Sequence, residues 1–146
     1  MALTHSTGLR NALLNSGIAT LFDTNGRLAI ISGTQPARDA ILIDGGHILL
    51  ATLTLSADAM GTASAAAISF NAITQDSDVD ASGTPGFFCI YLSTETALTS
   101  IASATDKRLT GTVTLTAGGG DITYDSVSWA LHGIATLSTL SYTAPV

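Results

Sequence analysis

A single cysteine, Cys89, rules out an intrachain disulfide and a cysteine-based zinc site. The chain must hold itself together by burial, and Cys89 reads as a small apolar core residue. Basic residues are also scarce: five Lys and Arg stand against eleven Asp and Glu, with no cluster beyond Lys107-Arg108. That balance argues against a nucleic-acid partner, whose phosphates need a basic patch. One Trp and three Tyr leave few of the exposed aromatic platforms that carbohydrate binding requires. No apolar run approaches the ~20 residues of a membrane span, and Met1 to Arg10 lacks a basic start followed by an apolar stretch. The expectation is a soluble, non-exported protein with no membrane contact.

What is present is hydroxyl: 22 Thr and 15 Ser against a charged fraction of 11%. Threonine suits strands, and hydroxyl surface costs less to desolvate than charged surface. At 146 residues the chain fits one domain that buries about two-thirds of its extended surface. Its longest apolar run, Phe87 to Leu92, reads as a central strand with Phe88, Ile90 and Leu92 on one face and Phe87, Cys89 and Tyr91 on the other. Both faces must be covered.

Residues 6 to 22 read as the one helix, capped by Ser6 or Thr7, with Leu14, Ile18, Leu21 and Phe22 forming a stripe that Leu9 and Leu13 widen. Gly17 in its middle suggests either two shorter pieces or a helix bent where another backbone comes close. Asp23 to Gly26 is a turn, and strands follow at Arg27 to Ser32, Ile48 to Ser56, Ile68 to Thr74 and, after the polar stretch Gln75 to Pro85, the central run. From Leu109 the alternation is regular up to the Gly118-Gly-Gly120 turn. Ile122 to Tyr124, Val127 to Leu131 and a last strand ending at Tyr142 complete the set. The expected fold is mainly β, an antiparallel β-sandwich or jelly roll with one N-terminal helix: a helical arm over 1–25 and a β-sandwich over 26–146. Its core face should carry Leu49, Leu53, Leu55, Phe70, Phe88, Ile90, Leu92, Val113 and Leu115.

No catalytic constellation is legible. His5, His47 and His132 sit at a chain start, a strand entrance and a strand end, and neither a Gly-x-Ser-x-Gly elbow nor a phosphate-cradling loop occurs. Asp76, Asp78 and Asp80 alternate as calcium ligands can, but Ala81 and Phe87 stand where an EF-hand needs Gly and Glu. They read as a solvated turn and remain the only metal-ligand candidates. No cofactor is implied.

The opening Met1 to Leu13, the stretch Arg27-Leu-Ala-Ile-Ile-Ser-Gly-Thr-Gln-Pro36 and Leu49-Leu-Ala-Thr-Leu-Thr-Leu-Ser56 resemble small virion proteins of tailed bacteriophages. The likeness extends loosely through Asn71 to Thr74 and Gly83 to Ser93, and it departs at Trp129 and Leu131-His-Gly133. It implies a β-sandwich that decorates or cements the capsid, a homotrimer bound to the major capsid protein on the virion surface and made in the host cytoplasm. A neck, collar or tail-fibre part is the alternative, and a carbohydrate-binding sandwich a third. The interface candidates are Leu9, Leu13, Leu14 and Ile18 on the N-terminal stripe.

Overall fold

The computed structural model describes residues 6, 8–9, 13–37, 40–94, 98–100, 107–116, 118, 121–124, 129–137 and 139–143. A π turn, Leu14–Ile18, runs into an α turn, Ala19–Leu21, and eight strands follow among the described residues: β1 (Gly26–Ser32), β2 (Leu49–Leu55), β3 (Ala67–Ser69), β4 (Ile73–Thr74), β5 (Pro85–Leu92), β6 (Arg108–Leu115), β7 (Ile122–Tyr124) and β8 (Ser141–Thr143). Six of them form one curled, half-barrel sheet in the order β4-β2-β1-β5-β6-β7, and β3 pairs with β8 in a second, two-stranded sheet. Every pair is antiparallel except β6–β7, which is parallel and makes the large sheet mixed. A tight hairpin at Gly118 to Gly120 would have made that pair antiparallel; of those three glycines only Gly118 is described.

β5 lies between β1 and β6, and its two faces are both covered, as its unbroken apolar run requires. Phe88 and Ile90 join Leu28, Ile30, Leu53 and Val113 in the main core, to which the small sheet adds Ile68 and the partly buried Tyr142. On the reverse face Phe87 and Cys89 pack with Ala29 and Ile31 under two loops that bring Leu42 and Leu98 down onto them. The backbone N–H groups of Leu42 and Ile43 both donate to the Leu98 carbonyl, at 3.0 and 2.8 Å, so the covering loops are tied to each other. Arg108 adds to this by donating to the Ala40 and Ser100 carbonyls, each at 3.1 Å.

The helical stretch starts where its cap is expected: Ser6 Oγ accepts the Leu9 N–H at 3.3 Å. Leu14, Ala19 and Phe22 are in the main core, so the second half of the expected arm packs into the β-domain. Asn15 Oδ1 accepts the Ala63 N–H at 2.8 Å and Asp23 Oδ1 the Ala59 N–H at 3.0 Å, which ties the stretch to the crossing loop before β3. Gly17 has open space where a Cβ would stand, so no backbone approaches it; it lies inside the π turn instead. At the turn into β1, Asn25 alone takes a positive φ, 63°.

Three expectations about strand faces are corrected. In β2 the register moves from Ile30 opposite Ala51 to Ile31 opposite Leu49, leaving Leu50 as an extra residue. Such a bulge directs two successive side chains to one face: Leu50 and Ala51 both enter the main core, and Leu49 packs against the reverse cluster. Leu115, expected inside, is 40% exposed at the end of β6. The expected strand Ile68 to Thr74 is broken: Ala67–Ser69 belongs to the small sheet and Ile73–Thr74 to the edge of the large one. Leu53, Leu55, Phe70, Phe88, Ile90 and Val113 are buried as expected, and Leu92 packs against the main core from a half-buried position.

Candidate functional site

Of the interface candidates, Leu14 is buried in the protein's own core and the half-buried Ile18 packs against it. Leu9 and Leu13 are 47% and 53% exposed. The stripe is therefore divided, with one part spent on the core and two leucines left on the surface.

The acidic loop has a structural occupation. Asp76 Oδ2 accepts the Thr52 N–H at 2.8 Å and its Oδ1 accepts the Asp78 N–H at 3.0 Å, so this carboxylate closes its own turn and holds it to β2. The loop then runs beside residues 129–135 as an irregular ribbon: Asp76 and Ala135 exchange both backbone bonds at 3.0 and 2.8 Å, as do Gly83 and Trp129 at 3.0 and 2.7 Å. Between them Val79 N–H donates to Gly133 and His132 N–H to Val79, each at 3.0 Å. Asp78 Oδ1 meets His132 Nδ1 at 2.6 Å on the exposed side of this ribbon. Asp80 carries the like-charge strain: burial, then Asp76, then Asp78 push its carboxyl above the usual range. No cluster of three His, Cys, Asp or Glu among the described residues has a metal-binding arrangement, Asp76, Asp78 and Asp80 included.

His47 likewise works as a pin. Its Nδ1 faces Asp44 Oδ1 at 2.8 Å, its Nε2 faces the Thr34 carbonyl at 3.0 Å, and its ring meets Phe87 edge-on with centroids 5.5 Å apart. Gly33, at φ 87°, leaves room for that ring, since a Cβ there would lie 2.8 Å from it. Asp44 is held below the usual carboxylate range by the Gly46 N–H first and the His47 side chain second. His5 lies outside the described residues.

One surface feature had no signal in strand periodicity. An open groove of about 790 Å³ runs between β7, the start of β8 and residues 134–137 and 139–140, with Trp129, Asp121, Thr123, Thr136 and Thr139 on its walls. Trp129 marked itself in the sequence only as the sole tryptophan, placed where the phage-like pattern breaks. Asp121 and Thr123 come from β7 and its approach, Thr136 and Thr139 from a segment more than ten residues later, and nothing local in the sequence draws the two together.

No family model, no curated protein and no solved structure matches the chain.

Proposed function

We propose that the chain is a non-enzymatic structural protein of a tailed-bacteriophage virion, a decoration or cement protein that binds the outer capsid and stabilises the head. Its partners in this reading are the major capsid protein and two further copies of itself, in a homotrimer. The two sheets, facing each other across the main core through Ile68 and Tyr142 on one side and Leu28, Leu53 and Ile90 on the other, are read as a jelly-roll-like sandwich. The likeness of the opening residues, of Arg27 to Pro36 and of Leu49 to Ser56 to small phage virion proteins is the source of the proposal.

The observation that carries it is the N-terminal stretch. Leu14, Ala19 and Phe22 lock it to the core, while Leu9 and Leu13 stay about half exposed, at 47% and 53%. An apolar pair held in place by a rigid domain can be covered by a neighbouring subunit without first being ordered. Adhesion of this kind makes no bond and needs no nucleophile or base. Many copies then reinforce one another through effective concentration.

Deleting the whole stretch would remove Leu14 and Phe22 from the core, so the test uses a double substitution, Leu9→Ser with Leu13→Ser. Circular dichroism should be unchanged, and binding to undecorated heads should weaken by about tenfold or more, since the two side chains together are worth at least ~1.4 kcal/mol when covered. Unchanged binding and unchanged oligomeric state would remove these leucines from the interface. Gel densitometry of purified virions supplies the independent check: hundreds of copies per particle are expected, and a count in the tens would transfer the protein to the neck or tail.

A further inference from the structure

We propose that the groove between β7, β8 and residues 134–137 and 139–140 is a binding site for a neutral oligosaccharide. Its volume, about 790 Å³, lies in the range that holds ligands the size of a few sugar rings. A sugar presents two kinds of surface, an apolar patch of C–H groups on the ring face and a rim of hydroxyls that donate and accept hydrogen bonds. The groove offers a counterpart to each.

Trp129 is half-buried, packed on its inner side against the main core, and the part of its apolar surface that lines the groove is of the kind that C–H groups of a sugar ring contact. Its backbone donates to Gly83 at 2.7 Å and accepts from Gly83 at 3.0 Å and its side chain packs against the core, so its position is set by the fold. Asp121 supplies a fixed acceptor. Its Oδ2 takes the Thr112 N–H at 2.8 Å and the Thr112 hydroxyl at 2.9 Å, which orients the carboxylate and leaves Oδ1 without a hydrogen bond from any described residue. A sugar hydroxyl donating to that oxygen makes a charge-assisted bond, the stronger class. Thr123, Thr136, Thr139 and Ser141 add hydroxyls that can donate or accept as the ligand requires.

The same lining argues against other ligand classes. Among the described residues it contains no Lys or Arg, and the chain's net charge is −6, so a phosphorylated or acidic ligand meets repulsion from Asp121. A lone carboxylate does not make a cation site. A purely apolar ligand would desolvate Asp121 and the hydroxyls with nothing returned to them. Neither Leu9 nor Leu13 lines the groove, so sugar binding and head attachment are tested by different substitutions.

Trp129 is the only tryptophan, so tryptophan emission comes from a residue that lines this groove. The intact protein is titrated with cellohexaose, maltohexaose and chitohexaose. At least one should give a saturable emission change with a Kd of about 1 mM or tighter. Asp121→Asn keeps the carbonyl that Thr112 needs and turns the second carboxylate oxygen into a donor; Thr136→Val removes a hydroxyl at constant shape. With circular dichroism unchanged, the first should weaken binding roughly tenfold or more and the second about threefold or more. No saturable change with any of the three sugars overturns the proposal, as does binding that survives both substitutions. An emission change that follows protein concentration rather than sugar also overturns it, since a second copy would then be filling the groove.

Discussion

Ile90 and Leu53 face each other's surroundings across β1 and are 0% and 1% exposed, which makes them the clearest measure of how much the main core is worth. Truncating either to Ala removes buried methyl groups and leaves a cavity, so each should cost ~2 to 5 kcal/mol in denaturant unfolding. A loss below ~1 kcal/mol would mean that the surrounding side chains collapse into the space. Charge gives a residue-scale prediction of opposite sign. Because the Asp80 carboxyl is raised above its ordinary 3.8 in the folded protein, its contribution is fully present below that value and is lost as pH rises through the folded pKa. Asp80→Asn should therefore be more stable than the parent at neutral pH, with the gap closing as pH falls below 3.8, where the parent is protonated in both states. Asp44 slopes the other way. Its lowered carboxyl supports the fold above 3.8 and loses that support as pH falls through the folded value, so Asp80→Asn should sharpen the acid side of the profile. Stability measured by urea unfolding at a series of pH values separates the two.

At the level of elements, β5 was legible because a strand's side-chain period of two leaves no choice of faces once Phe87 to Leu92 is recognised as a strand. β2 was half legible. Leu53 and Leu55 follow the alternation, but Ile48-Leu49-Leu50-Ala51 is apolar throughout, and a bulge inside such a run leaves no mark in the sequence. The N-terminal stripe showed which residues were apolar and could not show that the core takes Leu14 and leaves Leu9 and Leu13 outside. Least legible was the ribbon formed by 76–83 and 129–135, because its hydrogen bonds join segments some fifty residues apart and its geometry is too irregular for alternation. Within that ribbon Asp76 uses both oxygens to accept backbone N–H groups, so its carboxylate has a structural role that alternation alone did not reveal. The amides of Asp76, Val79, Gly83, Trp129, His132 and Ala135 should then exchange with deuterium as slowly as those of the flanking strands. Exchange of this set at loop-like rates would show that the ribbon opens independently of the sheet.

For the whole molecule the governing fact is how little charge there is to use in attachment. Five basic and eleven acidic residues in 146 leave a surface of hydroxyl and apolar groups, and Arg108, one of the five, is engaged in holding the loops over the reverse face of the sheet. A protein that attaches through such a surface gains its affinity from burying Leu9, Leu13 and their neighbours, a term that added salt leaves nearly unchanged. One that attaches through ion pairs loses affinity steeply, because raising the salt from about 0.1 M to about 1 M shortens the screening length from ~10 Å to ~3 Å. For the capsid attachment proposed above, the Kd for undecorated heads should therefore change by less than about threefold over that range, with slight tightening as the natural direction, since salting-out ions favour apolar burial. Sedimentation of heads with bound protein at each salt concentration measures it directly. A loss of about tenfold or more at the high end would show that ion pairs hold the protein on, and the acidic surface, not the leucines, would become the place to look for the contact.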